Sequence, residues 1–138
     1  HLESYPGVKE CIEKLKEKKI SLVCITNKAK EEAEIVLREV YPEGTFSPII
    51  GDDGVMPLKP DKAPLEKACR ALGITKEEAV MVGDTKTDLD AAKAAGMLSI
   101  GCLYGFRDEK ELQEHGAKYI VSDGTELWKV LEEHFLKE

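Results

Sequence analysis

Long apolar runs are missing from this sequence. Its apolar stretches stop at four to six residues, far short of the roughly 20 that a membrane helix needs. No secretory signal is recognisable at the start, so a cytoplasmic protein with no membrane partner is expected. An excess of positive charge is missing too. The formal charge of −7 excludes bulk electrostatic attraction to nucleic acid or to an anionic membrane, although a local basic pocket remains open. Cysteines are few and scattered: Cys11, Cys24, Cys69 and Cys102 show no CxxC spacing. That argues against a zinc site or a disulfide framework and for reduced thiols, with Cys24 and Cys102 buried in apolar strands. His1, His115 and His134 share no ligand spacing. His115 is expected near a helix C-terminus and His134 on a helix face. There is no repeat, low-complexity tract or linker, and 138 residues suit a single domain with a real core.

What the sequence does contain is an apolar pattern whose period switches between helix and strand. "PGVKECIEKLKEKK" puts Val8, Cys11, Ile12 and Leu15 on one helical face, with Pro6 near the first turn. "ISLVCIT", from Ile20 to Thr26, reads as a strand covered on both faces. Residues 29–40 carry Ala33, Val36, Leu37 and Val40 at helical spacing, and a brief strand follows at 48–50. Asp61 is placed to cap a helix reaching about Leu72. Thr75 and Glu78 form a capping-box pattern ahead of the strand "AVMVG". The next helix ends at Gly96. Then come the strand "MLSIGCL", a short helix opened by Asp108 with Glu111 and closing at His115-Gly116, the strand "KYIV", and a helix from about Thr125 to Leu136. Strands alternating with helices predict an α/β fold: a Rossmann-like, three-layer α/β/α arrangement around a parallel sheet.

Ligands of such sheets sit beyond the carboxyl ends of the strands. That rim gathers Thr26-Asn27-Lys28, Gly51-Asp52-Asp53 followed by Lys59-Pro60, then Asp84, and Tyr104-Gly105-Phe106. A hydroxyl and a lysine suit a phosphate, and a carboxylate opposite them suits Mg²⁺, which prefers hard oxygen ligands. Phosphoryl transfer asks for these parts, charge neutralisation and alignment above all. Asp84 at a strand terminus is the candidate metal ligand. Asp88, one helical turn on, is placed to orient a metal-bound water or the Lys59 ammonium, at the positive end of a helix dipole. Singly, each residue also has a bland reading as a cap, a turn or a solvated charge, and Asp52-Asp53-Gly54 reads as a turn. Their joint order on one rim carries the argument.

These residues resemble the haloacid dehalogenase superfamily, and its phosphoglycolate phosphatase-like branch most. The similarity runs from "YPGVKECIEKLKEKKISLVCITNK" through "IIGDDGVMPLKPDKAPLEKACRALGITKEEAVMVGDTKTDLDAAKAAG" to "SIGCLYGF". The resemblance implies a Mg²⁺-dependent phosphatase acting on a small phosphorylated metabolite such as phosphoglycolate. Thr26 would be the phosphate-binding hydroxyl, Asn27 its neighbour in the substrate pocket, and Lys59 the lysine balancing nucleophile and phosphate charge. Asp84 would hold Mg²⁺, with Asp88 supporting the metal from behind.

The family's nucleophile stands in a DxDGT-type segment at the end of a first, central strand, upstream of "YPGV" and separated from it by a cap domain. Here "YPGV" begins at Tyr5. "VSDGTEL" (Val121–Leu127) has Val121 at the nucleophile's place and reads as coincidence, and Asp52-Asp53-Gly54 has adjacent acids ahead of the lysine. Residues 1–138 are therefore expected to be the C-terminal part of one core domain, without nucleophile or cap, and inactive alone. A central strand with four or five buried side chains is worth on the order of 10 kcal/mol, comparable with a domain's whole stability of about 5–15 kcal/mol. A gap is thus expected beside Ile20–Ile25 and Val80–Val82, open to rearrangement, a partner chain or self-association. A sugar-phosphate mutase of the same fold shares every residue named. A non-catalytic scaffold or signalling domain is the third reading, although a phosphoacceptor receiver would place its acids elsewhere.

Overall fold

A computed structural model describes residues 5–103 and 109–136. The elements in order are α1 (Val8–Glu17), β1 (Cys24–Ala29), α2 (Lys30–Val40), β2 (Ile49–Asp52), α3 (Ala63–Leu72), β3 (Val80–Gly83), α4 (Lys86–Ala95), β4 (Leu98–Cys102), α5 (Glu109–Glu114), β5 (Tyr119–Val121) and α6 (Gly124–His134). All strand pairs are parallel, so the α/β alternation predicted from the sequence holds. No helix among the described residues is long and apolar enough to cross a membrane.

Three layers follow from strand alternation. Val80 and Val82 pack with a core built from Val8, Cys11 and Leu15 of α1, Ile100 and Cys102 of β4, Val121 of β5, and Leu127 and Leu131 of α6. Met81, between them, points to the opposite face, into a second core of Leu65 from α3 with Ala91 and Ala92 from α4. One helix pair thus covers each face, as a parallel sheet requires. α4 stops at Gly96, and the Thr75–Glu78 capping box is formed, closing a 3-10 turn at Lys76–Glu78. Asp61 accepts the Ala63 N–H at 2.8 Å where α3 begins.

The sheet is not continuous. β1 pairs with β2, and β3 pairs with β4, which pairs with β5; among the described residues no ladder joins β1 to β3. The interruption lies where the sequence predicts a gap, between the strand ending near Thr26 and the one ending at Gly83.

Two expectations need correction. The strand expected over Ile20–Thr26 runs instead from Cys24 to Ala29, and Ile20 is 39% exposed. Pairing explains this. The ladder starts where Cys24 meets Ile49 and, after a register shift, continues to Ala29 opposite Asp52. Before Cys24, the Leu22 carbonyl accepts the Ser47 N–H at 2.8 Å, but this single contact lies ahead of the ladder. In α2, only Ala33 is buried, and Val36 of the expected inward face is 36% exposed. Among the described residues α2 rests mainly on the two short strands β1 and β2, a surface too narrow to cover four apolar positions. Asp108 and the Tyr104–Phe106 part of the rim lie outside the described residues.

Candidate active site

Lys59 is the centre of the rim. Its loop leaves β2, and its side chain is only 9% exposed although it carries an ammonium. A buried cation is tolerated only with partners, and two are present. Nζ donates to the Ile25 carbonyl, within β1, at 2.9 Å and to Asp88 Oδ1 at 2.5 Å. The lysine therefore ties β1 to the start of α4 across the interruption in the sheet. An ammonium has three N–H donors, so one is left for a ligand.

Asp88 is held as firmly. Its Oδ2 accepts from the Asp84 N–H (3.2 Å), the Thr85 N–H (3.3 Å) and the Thr85 hydroxyl (3.0 Å). Thr85 Oγ1 accepts the Asp88 N–H in return at 3.4 Å, completing a capping box at the N-terminus of α4. With the Thr85 hydroxyl donating to Asp88, Thr87 is the donor in the 2.8 Å contact between the two hydroxyls. This fold-back needs Gly83. A Cβ there would stand 2.3 Å from Asp88 Cβ, so any other residue would force the carboxylate off the strand end. The sequence reading placed Asp88 behind the metal or against Lys59, and the structure places it against Lys59. It missed the box, whose signal was present as "TKTD".

Thr26 is half-buried, and its Oγ1 accepts the Lys28 N–H at 3.1 Å. Asn27 faces the Lys59 backbone: Nδ2 donates to the Lys59 carbonyl at 2.9 Å, and Oδ1 accepts the Lys59 N–H at 3.0 Å. That reciprocal pair joins residues 32 positions apart, with no periodic signal to announce it. Asp84 follows β3 directly and is half-buried. Hydrogen bonds thus link Asn27, Lys59, Asp84 and Asp88 into one chain of contacts, with Thr26 between Ile25 and Asn27 in β1.

Other candidates resolve into structure. Asp123 of "VSDGTEL" caps α6, its Oδ1 accepting the Glu126 N–H at 2.9 Å, while the Gly124 N–H donates to the Pro6 carbonyl at 2.7 Å. Asp52 and Asp53 make turns, accepting the N–H groups of Gly54 and of Val55 and Met56. Those backbone donors hold the Asp53 carboxyl below its usual range. His115 Nδ1 lies 2.7 Å from Asp90 Oδ1, and His134 stacks on Tyr119.

The donor set decides what metal chemistry fits. Both Asp88 oxygens are occupied, so within this group a cation would have to be taken by the Asp84 carboxylate. Among the described residues no three His, Cys, Asp or Glu side chains converge on a metal position. One hard carboxylate is a poor zinc or calcium site, but it suits Mg²⁺, which commonly takes one or two carboxylates and completes its shell with water and phosphate oxygens.

The family model of haloacid dehalogenase-like hydrolases matches residues 1–102. The chain belongs to that family. Within these hydrolases it is 36% identical over 131 residues to a phosphoglycolate phosphatase of Chromobacterium violaceum, covering 95% of this chain and 58% of that protein. It is 34% identical over 127 residues to a phosphoglycolate phosphatase of Haemophilus influenzae, covering 92% and 57%. The chain thus spans under three-fifths of the length of these curated relatives. Among solved structures, it superposes on a predicted phosphatase from Clostridium acetobutylicum with a TM-score of 0.84 at 30% identity, covering 94% of this chain and 60% of that one. A Thermotoga maritima protein assigned provisionally as a beta-phosphoglucomutase gives 0.84 at 33%, again covering 94% and 60%. The haloacid dehalogenase-like fold predicted from the motifs is therefore the fold observed.

Proposed function

We propose that this chain is the C-terminal part of a haloacid dehalogenase-like core domain, in a Mg²⁺-dependent phosphatase acting on a small phosphorylated metabolite such as phosphoglycolate. The carrying observation is the Lys59 ammonium, nearly buried, bound to Ile25 and to Asp88, whose other oxygen holds the Asp84 N–H. A cation held this rigidly is aligned before substrate arrives, which is what phosphoryl transfer asks of a protein. Thr26 would donate its hydroxyl to a phosphoryl oxygen, and Lys59 would neutralise the developing charge. Asp84 would hold Mg²⁺, which when bound supplies further neutralisation of the phosphoryl oxygens. Asp88 acts through others, fixing Lys59 with one oxygen and the Asp84 backbone with the other. The nucleophile is an aspartate supplied from outside residues 1–138, on a strand filling the interruption between β1 and β3. It would form an acyl-phosphate that water then hydrolyses, and without it the chain would show no turnover.

The test is phosphate release from phosphoglycolate by the full-length protein. Hydrolysis should require Mg²⁺, and Lys59→Ala or Asp84→Ala should each lower kcat/KM on the order of 100-fold or more. Turnover by residues 1–138 alone, or hydrolysis indifferent to Asp84→Ala, would overturn the proposal. The Thermotoga maritima likeness favours a second reading, a sugar-phosphate mutase. Phosphorus NMR separates the two: label moving to a sugar hydroxyl indicates the mutase, and label appearing as inorganic phosphate the phosphatase.

A further inference from the structure

We propose that Asn27 is a positioning residue for the Lys59 ammonium and not a ligand of the phosphoryl group; its catalytic consequence rests on the phosphatase reading, whereas its structural part does not. An asparagine amide has one oxygen acceptor and one two-proton donor. Here Oδ1 takes the Lys59 N–H at 3.0 Å while Nδ2 gives a proton to the Lys59 carbonyl at 2.9 Å. Both ends of the amide face one backbone position, as a neighbouring strand would.

Lys59 is in consequence attached to β1 twice. Its backbone is clamped by the side chain of Asn27, and its Nζ returns to the carbonyl of Ile25, two residues earlier on the same strand. A long flexible side chain bound at its tip alone could reach its acceptors from many loop positions. Fixing the Cα as well leaves few, and the third N–H direction is then set by the fold. Asn27 is exposed, so its truncation opens no cavity, and folding should survive it. Aspartate cannot substitute, because it would present a carboxylate oxygen to the Lys59 carbonyl.

Two readouts on the full-length protein test this. The first is pulse acylation by an amine-reactive ester, resolved by peptide mass spectrometry, and it needs no activity. Lys59 should react far more slowly than exposed Lys30 and Lys62. In Asn27→Ala its rate should rise about 5- to 30-fold, the population shift expected from losing one or two net hydrogen bonds, while Lys30 and Lys62 keep theirs. Asn27→Asp should release Lys59 in the same way and stands in should the alanine variant fail to fold. An unchanged Lys59 rate in a folded variant overturns the proposal.

The second readout is kinetic. Asn27→Ala should lower kcat on the order of 10- to 100-fold with KM nearly unchanged, and adding it to Lys59→Ala should cost nothing more. A full additional loss in the double variant would mark Asn27 as a direct ligand and overturn the proposal. A wild-type protein that hydrolyses no phosphate ester, but whose Lys59 responds to Asn27→Ala, would refute the phosphatase reading and leave the positioning role standing.

Discussion

β3 and β4 are neighbours of nearly equal apolar character, yet they live in different surroundings. In β4, Ile100 and Cys102 are essentially inaccessible, at 0% and 1% exposure. In β3, Val80, Met81 and Val82 are all only half-buried, as are Cys24 and Ile25 of β1. Among the described residues β4 has a partner on each side, whereas β3 and β1 each have one, and both border the interruption. Helices cover both faces of β3 as they do of β4, so the difference between these two arises in the plane of the sheet. The strands that carry the site are the ones whose apolar side chains are incompletely covered, although their sequences read as fully buried.

The sharpest way to probe that contrast is to remove methyl groups on each side of it. Ile100→Ala should destabilise this chain by about 2–5 kcal/mol, since every atom removed comes from a packed interior. Val82→Ala should cost about 1 kcal/mol, because a half-exposed valine leaves water access and little cavity. Urea unfolding midpoints would measure both, and equal losses would mean that the two strands are packed alike. In the full-length protein the Val82→Ala cost should rise toward that of a core position if a further strand fills the interruption.

The contrast also explains which features were legible in the sequence. Periodicity records how apolar a segment is meant to be, so it found every strand, but it could not show where pairing begins. The run from Ile20 looked like a strand throughout, and the ladder starts only at Cys24, where Ile49 is available. The candidate site residues could be named from the sequence because they stand in a fixed order around the expected strand ends, and the structure brings Asn27, Lys59, Asp84 and Asp88 together. The Lys59–Asp88 pair was foreseen as one use for Asp88. The Asn27–Lys59 pair was invisible, because a contact between a strand end and a distant loop has no period. Gly83 gave no signal either; its role depends on Asp88 folding back to within a Cβ's reach.

A smaller effect should appear at alkaline pH. Burial pushes the Cys102 thiol up to about 12 and the Cys11 thiol up to about 11, from an ordinary 9.0. Both shifts favour the neutral form in the folded chain. Stability from these groups is therefore complete below pH about 9 and declines as pH rises toward their folded values. At pH 10 the loss should be on the order of 1 kcal/mol per thiol. Cys102→Ala should flatten the fall of unfolding free energy between pH 9 and 10.5 by one such contribution. An unaltered slope would mean that the β4 thiol is not held in a dry interior.

The mildest probe leaves stability untouched and compares the two strand cysteines directly. Cys24 in β1 and Cys102 in β4 both sit in apolar runs, yet Cys24 is half-buried and Cys102 is 1% exposed. Thiolate formation and access together govern reaction with a disulfide reagent. Under native conditions Cys24 should therefore react well before Cys102, with Cys102 waiting on unfolding. Reaction at equal rates would erase the difference between the strands. The informative step is to repeat the measurement in the full-length protein. A strand seated between β1 and β3 should slow Cys24 markedly and leave Cys102 as it was, because β4 already has both neighbours. If Cys24 keeps its rate there, the open side of β1 stays open, and the aspartate proposed to complete the site must approach Lys59 and Asp84 from somewhere other than the sheet.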